Sequence, residues 1–187
     1  MDTINLRPTS PADLKFVLAA ERHPDNAPYV NQWSLQQHED AIAFENSAHF
    51  IVEKSNIATD SAGQSIHPQS DQSIGYVILI GLHNPHRSLL LKRIVILSKG
   101  KGFGRKTLQW IKAFTFEQMS YHRLELEVFS NNKRAQYLYR SEGFIDEGRL
   151  RDAIKTPQGH EDLLLLSILE DEYQSKAHNS IRSSRSS

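Results

Sequence analysis

The chain contains no cysteine, which excludes disulfides, thiolate catalysis and cysteine-bound zinc together. It carries no net charge either, with 22 Lys and Arg against 22 Asp and Glu. Without a basic surplus, broad binding to nucleic acid or to an anionic membrane lacks its electrostatic drive. Long apolar runs are also missing. The longest, Tyr76 to Ile80 and Leu163 to Leu166, are far too short to cross a bilayer. The opening Met1 to Pro8 lacks the apolar core of a secretory signal. No internal repeat occurs. His83, His86 and His160 fit no H-E-x-x-H spacing, so no metal is assigned. These absences describe a soluble, cytoplasmic protein. Its 187 residues suit one domain with a proper core, expected over residues 1–173 and followed by a disordered Ser/Arg tail at 174–187.

Against this background one stretch is dense with chemistry. Ile94-Val-Ile-Leu-Ser-Lys-Gly-Lys-Gly-Phe-Gly-Arg-Lys106 begins as a β-branched apolar strand, passes three alternate glycines and enters a helix with Leu108, Ile111 and Phe114 on one side. Glycines let a backbone approach a ligand closely, and a helix start offers N–H groups to an anion. Lys99, Lys101, Arg105 and Lys106 add positive charge at the same place. The pattern is that of a phosphate cradle. Its spacing excludes the dinucleotide fingerprint, whose third glycine would fall on Arg105, and no Walker loop or kinase motif set is present.

The segment Lys99-Gly-Lys-Gly-Phe-Gly104 resembles the pyrophosphate loop of the GCN5-related N-acetyltransferases, with lysine where the family pattern opens on arginine or glutamine. A second block, Leu124 to Phe144, is similar to the family's strand–helix–strand segment and includes Asn132-x-Arg-Ala135, Leu138-Tyr139 and Gly143-Phe144. Glu147-Gly148-x-Leu-Arg151 and Gly159-His-Glu-Asp162 look like its ribosomal-protein and polyamine acetyltransferase branch. The resemblance is specific over residues 74–170. It implies an α+β fold with a mixed, mostly antiparallel twisted sheet of six to seven strands, flanked by about four helices.

Periodicity supplies the elements one by one. Ile4 to Arg7 reads as a first strand. Thr9-Ser10-Pro11-Ala-Asp13 reads as a helix start, with Leu14, Val17 and Leu18 turned inward. His23-Pro-Asp-Asn-Ala-Pro28 breaks that helix, and a second follows over Leu35 to Glu45. Strands are expected at Ala48–Glu53, Ile74–Leu82 and Leu89–Leu97. The polar Ser55–Ser73 segment forms a long hairpin connection, and Asn84-Pro-His86 a turn. Leu124, Leu126 and Val128 alternate with Glu125, Glu127 and Phe129 as a strand with two faces. Asn131 or Ser130 caps the next helix, and Gly143 ends it in the left-handed conformation. Phe144–Leu150 and Leu163–Leu169 read as the last strands.

The family resemblance implies acetyl-CoA as donor and direct acetyl transfer to an amine in a ternary complex. Carried over by position, backbone groups of Ile94, Val95 and Ile96 pair with the pantetheine amides. The N–H groups of Lys101, Gly102, Phe103, Gly104 and Arg105 hold the pyrophosphate, and Asn132 faces the arm. Tyr139 matches the tyrosine beside the thioester sulfur. A phenol with a reference pKa near ~10 is protonated at neutral pH and can donate to the leaving thiolate. The alternative is an amphipathic residue packing its helix onto the sheet.

A lysine-type amine is uncharged in only about one molecule in ~10³ at pH 7, so a base is needed. Many relatives place a glutamate on the strand that here reads Ser88 to Ile96 without an acid. Glu127 on the following strand is the substitute, and the competing reading is a solvated strand charge. Tyr29 and Trp33 occupy the loop where the family binds its acceptor, either as walls of an amine pocket or as loop packing. Acceptor classes are a small amine and a protein N-terminus or lysine, for a monomer or a homodimer. A non-catalytic acyl-CoA sensor remains the competing function.

Overall fold

The structure, a computed structural model, describes residues 3–55, 58–59, 65–66, 72–157 and 159–175. The expected tail lies outside the described residues from 176 onward, as does most of the 55–73 connection; its first two residues, 174 and 175, are instead the end of a helical stretch over 170–175.

Seven strands form one sheet, in the order β1 (Thr3–Pro8), β2 (Ser47–Ser55), β5 (Gln72–Ile80), β6 (Ser88–Ile96), β7 (Arg123–Phe129), β9 (Gly159–Leu169) and β8 (Ile145–Thr156). Two short strands, β3 (Ala58–Thr59) and β4 (Ser65–Ile66), pair separately within the 55–73 connection. β6 and β7 run parallel, whereas β1–β2, β2–β5, β7–β9 and β8–β9 are antiparallel. The mixed, mostly antiparallel sheet is the α+β architecture expected from sequence. The helices among the described residues are α1 (Leu14–Arg22), α2 (Leu35–Ala43), α3 (Phe103–Ala113) and α4 (Lys133–Ser141), with a short fifth over 170–175. The chain divides into two compact units, residues 1–82 with 92–107 and residues 83–91 with 108–187.

In the first unit the start of α1 is fixed by charge. Asp13 accepts from the Ser10 backbone N–H at 2.8 Å and from Arg7 of β1 at 2.8 Å. Arg7 also donates to Glu53 of β2 at 2.7 Å. Leu14, Val17 and Ala20 of α1 join Ile51, Tyr76, Ile78 and Val95 in a closed core. Leu18, expected inward, is only half-buried, and the fourth position of that face is a charged one, Glu21. Gly75 is dictated by proximity. A Cβ there would sit 2.2 Å from the Val95 carbonyl oxygen, so no side chain fits between β5 and β6.

The second unit shows why spacing alone misplaced some residues. α3 runs on into a π turn over Phe114–Gln118, which inserts an extra residue into the helical period. Thr115 and Phe116 therefore take the buried positions, and Phe114 is left half-buried, stacked on Trp110 with ring centroids 5.2 Å apart. The alternation in β7 holds, with Leu124, Leu126 and Val128 buried. α4 is capped by Asn132 rather than by Ser130 or Asn131. Its Oδ1 accepts from the Ala135 N–H at 3.1 Å. Gly143 ends that helix at φ +103°, and the Phe144 N–H donates to the Tyr139 carbonyl at 3.0 Å. β8 extends to Thr156, beyond the expected Leu150. Two register shifts and Asp152 at φ +52° keep it paired with β9. Nearly all of β8 is exposed, so it has no buried face to impose an alternating pattern.

Candidate active site

The residues singled out by sequence fall into two groups, one in each unit. In the first, β6 ends at Ile96 and the chain turns through Gly100 and Gly102, both at φ +78°, before α3 begins at Phe103. That backbone conformation favours glycine whatever the surrounding space. The first ladder bond of α3 runs from the Lys106 N–H to the Gly102 carbonyl at 3.1 Å. The N–H groups of the preceding helical residues thus point out of the helix start, where no carbonyl one turn back can accept them. Gly100, Lys101, Gly102, Arg105 and Lys106 are exposed. Phe103 is buried, with the Lys54 ammonium 5.9 Å from its ring centroid, so it can offer the cradle only its backbone. Lys99 is committed elsewhere, donating to the Asn26 side chain.

Upstream, the β6 ladder with β7 covers Ser88–Leu91 against Arg123–Leu126, and β6 itself runs on to Ile96. Val95 and Ile96 bury their side chains and Ile94 is half-buried. Val95 and Ile96 could therefore offer a ligand only main-chain groups.

Tyr29 and Trp33 are not equivalent. Tyr29 closes a short 3₁₀ turn and is exposed. Trp33 packs against the core, with the Arg93 guanidinium 4.3 Å from its ring centroid. Arg93 leads to a buried polar cluster that sequence reading missed. Glu21 Oε1 accepts from Arg93 Nη1 at 2.5 Å and from the Tyr76 hydroxyl at 2.5 Å. Its Oε2 accepts from the Trp33 N–H at 2.9 Å. His38 Nε2 lies 3.3 Å from Glu21 Oε1 without meeting hydrogen-bond geometry. His38 Nδ1 is 3.3 Å from His49 Nε2, and His49 Nδ1 is 2.8 Å from Thr9 Oγ1.

Burial alone would raise the Glu21 carboxyl. His38, the Tyr76 hydroxyl, the Arg93 charge and the Trp33 N–H more than reverse this and hold it below its ordinary value. Burial, with the charge of His38, pushes His49 down to about 4.

The second unit carries Tyr139, Asn132 and Glu127. Tyr139 is buried on α4, its ring centroid 5.9 Å from that of Phe144. Burial alone pushes its phenol well above the ordinary range. Asn132 is half-buried and serves first as the α4 cap. Glu127 is an exposed strand carboxylate opposite Leu165 of β9. Among the described residues, no group of three or more His, Cys, Asp or Glu gathers as metal ligands would. No helix there is long and apolar enough to cross a membrane.

Two glycines in the left-handed region followed by an exposed helix start present N–H donors of the kind that take a phosphate-bearing ligand. A family model described as the acetyltransferase (GNAT) domain matches residues 3–145. The chain belongs to the GNAT acetyltransferase family, whose members take their acetyl group from acetyl-CoA. It is 30% identical over 105 residues to a spermidine N(1)-acetyltransferase of Vibrio cholerae serotype O1, covering 56% of this chain and 61% of that enzyme. The match therefore spans less than two-thirds of that relative. A spermidine N(1)-acetyltransferase of Escherichia coli K12 is 24% identical over 181 residues, covering 91% of this chain and 88% of the relative. Among solved structures, the Vibrio cholerae spermidine N-acetyltransferase in complex with CoA and spermine superposes with a TM-score of 0.75 at 24% identity. It covers 91% of this chain and 98% of that one, which establishes the fold.

Proposed function

We propose that this protein is an N-acetyltransferase that moves the acetyl group of acetyl-CoA to a primary amine of a small polyamine in a ternary complex. The observation that carries the reading is the cradle, with Gly100 and Gly102 at φ +78° leading into the exposed start of α3. The polyamine is suggested by the spermidine acetyltransferases among its relatives.

In this reading the backbone from Lys101 to Arg105 holds the pyrophosphate. Main-chain groups of Ile94 to Ile96, beyond the end of the β7 ladder, pair with the pantetheine amides. Since Asn132 Oδ1 is occupied as a cap, contact with that arm falls to Nδ2. The amine nitrogen attacks the thioester carbonyl, its proton passes to Glu127 directly or through water, and the C–S bond breaks. Tyr139 gives its proton to the departing thiolate. A buried phenol whose pKa is driven upward stays protonated across the working pH range and can hydrogen-bond to the departing sulfur. The same shift weakens it as an acid, so the proton moves only as negative charge builds on the thiolate.

A thiol-release assay with acetyl-CoA against spermidine, spermine, amino acids and short peptides tests this. Turnover is expected with the polyamines, and Tyr139→Phe should lower kcat about 10²-fold or more with acetyl-CoA affinity kept within twofold. An unaltered rate removes Tyr139 from the mechanism. Acetyl-CoA bound without turnover of any amine replaces this reading with the acyl-CoA sensor. Activity on peptides alone makes the acceptor a protein.

A further inference from the structure

Two opposite charges are buried in the first unit at a place the transfer chemistry does not use. Glu21 is 1% exposed and Arg93 8%. A buried ion pair is a poor source of stability, since apolar residues of the same volume do as well or better. Its connections are informative instead. Arg93 Nη1 holds Glu21 at 2.5 Å, Nη2 donates to the Asn31 carbonyl, and the guanidinium stacks on Trp33. The other Glu21 oxygen accepts from the Trp33 N–H at 2.9 Å. Both partners of the pair thus grip the same short stretch of irregular chain, through main-chain groups at residues 31 and 33 and through one ring. Further back, the Asn26 side chain donates to the Ala20 carbonyl at 2.9 Å and accepts from Lys99 of the cradle. The segment between α1 and α2 is anchored at both ends to the strand and turn that carry the cradle.

We infer that Arg93, held in place by Glu21, is a positioning residue that sets which amines are accepted, by fixing the path of the segment that carries Tyr29 and Trp33. The inference rests on the acetyltransferase reading above. Two bonds to main-chain atoms specify a backbone path independently of the side chains displayed on it. A fixed path, with Trp33 pinned under Arg93, holds the exposed Tyr29 ring where a cationic amine can meet it, whereas a loose one would admit amines of many lengths. Arg93 also lies directly before Ile94, so the backbone assigned to the donor and the side chain shaping the acceptor loop belong to one rigid strand.

Arg93→Lys is the test. It keeps a positive charge beside Glu21, but one ammonium cannot replace a planar fork that holds a carboxylate and a carbonyl while stacking on a ring. The KM for spermidine should rise about tenfold, a change worth ~1.4 kcal/mol. kcat and acetyl-CoA affinity should stay within twofold, and preference for spermidine over a shorter diamine should shrink. With Trp110→Phe as background, Trp33 is the sole tryptophan of the two in the chain, and Arg93→Lys should shift its emission to the red. Should Arg93→Lys fail to fold, Glu21→Gln, isosteric but with an amide nitrogen that cannot accept where one carboxylate oxygen did, loses either the Trp33 N–H bond or those from Arg93 and Tyr76 and must raise the same KM. A working wild type whose KM and amine ranking are unmoved in these variants overturns the positioning role alone, as does a tenfold loss of acetyl-CoA affinity. A wild type that turns over no amine overturns the acetyltransferase reading and the acceptor role together.

Discussion

Among the described residues each unit buries a pairing of a carboxylate with Lys or Arg, and the two are built differently. In the second unit Lys112 Nζ, near the end of α3, donates to the Glu142 carboxylate at 2.8 Å and to the carbonyl of the same residue at 2.9 Å. Both bonds go to one residue at the C-terminus of α4, so the pair fastens two helix ends. In the first unit, Glu21 and Arg93 share their bonds among α1, β5, β6 and the main chain of residues 31–33. The same chemical pairing thus acts as a local clamp in one place and as the hub of a network in the other. Removing one member should reveal which is which, because the cost depends on how many buried groups are left without a partner.

The largest effect is expected at the hub. Glu21→Ala strands the Arg93 charge, the Tyr76 hydroxyl and the Trp33 N–H at once, and should cost ~5 kcal/mol, near the upper end for a broken buried pair. Glu142→Ala leaves Lys112 its carbonyl acceptor and should cost ~3 kcal/mol. Urea unfolding of the two variants beside wild type measures both, and equal losses would erase the distinction between hub and clamp. Kinetics give a second reading. A partly folded Glu21 variant should lose acceptor selectivity, whereas a Glu142 variant should keep wild-type KM values in its folded fraction.

Both hub residues obey the spacing rules that place the core. Leu14, Val17 and Glu21 lie at i, i+3 and i+7 on α1, and Leu89, Leu91, Arg93 and Val95 alternate along the buried face of β6. Periodicity thus points both charges inward. Charged residues are so seldom buried without a partner that each looks anomalous alone, and the partner lies 72 positions away, beyond the reach of local pattern. The cradle was legible because its glycines, cations and helix start are contiguous. The mixed, mostly antiparallel sheet and the α4 segment were legible through the family resemblance, whereas the order of the strands was not read from the sequence. The π turn at Phe114–Gln118 and the length of β8 were not, because an inserted residue and a strand without a buried face leave no periodic signature.

A smaller effect follows from the histidine end of the network. His49 is held near 4 by burial and by the charges of His38 and Arg93, against the opposing pull of Glu21 and Asp13. An unfolded histidine titrates near 6.5. A folded value below the unfolded one means that the unfolded chain binds the proton first, so stability is whole above pH 6.5 and is lost as the pH falls towards 4. Between pH 7 and pH 4.5 this should amount to about 2 to 3 kcal/mol. Carboxylates held low, Glu21 by the network and Glu147 at about 2 by Arg123 and Ser167, add their losses at lower pH. His49→Gln should flatten the upper window and leave the lower one. A wild-type stability that is level from pH 7 to 4.5 would show that His49 is not held neutral.

The smallest effect belongs to the surface of the second unit. Arg140 and Asp146 pair at 2.7 and 2.8 Å, as good a geometry as either buried pair, yet nearly half of each side chain is exposed. Water and salt screen such a pair, and ordering two side chains offsets much of the attraction. Asp146→Asn should therefore cost under ~1 kcal/mol in dilute buffer, and the difference should vanish near 1 M salt. Glu142→Ala should keep its penalty at the same salt, because ions do not reach a pair buried to that degree. If both variants lost their effect in salt, the Lys112–Glu142 clamp would be electrostatically a surface pair despite its burial. The contrast between the two units would then rest on Glu21 and Arg93 alone.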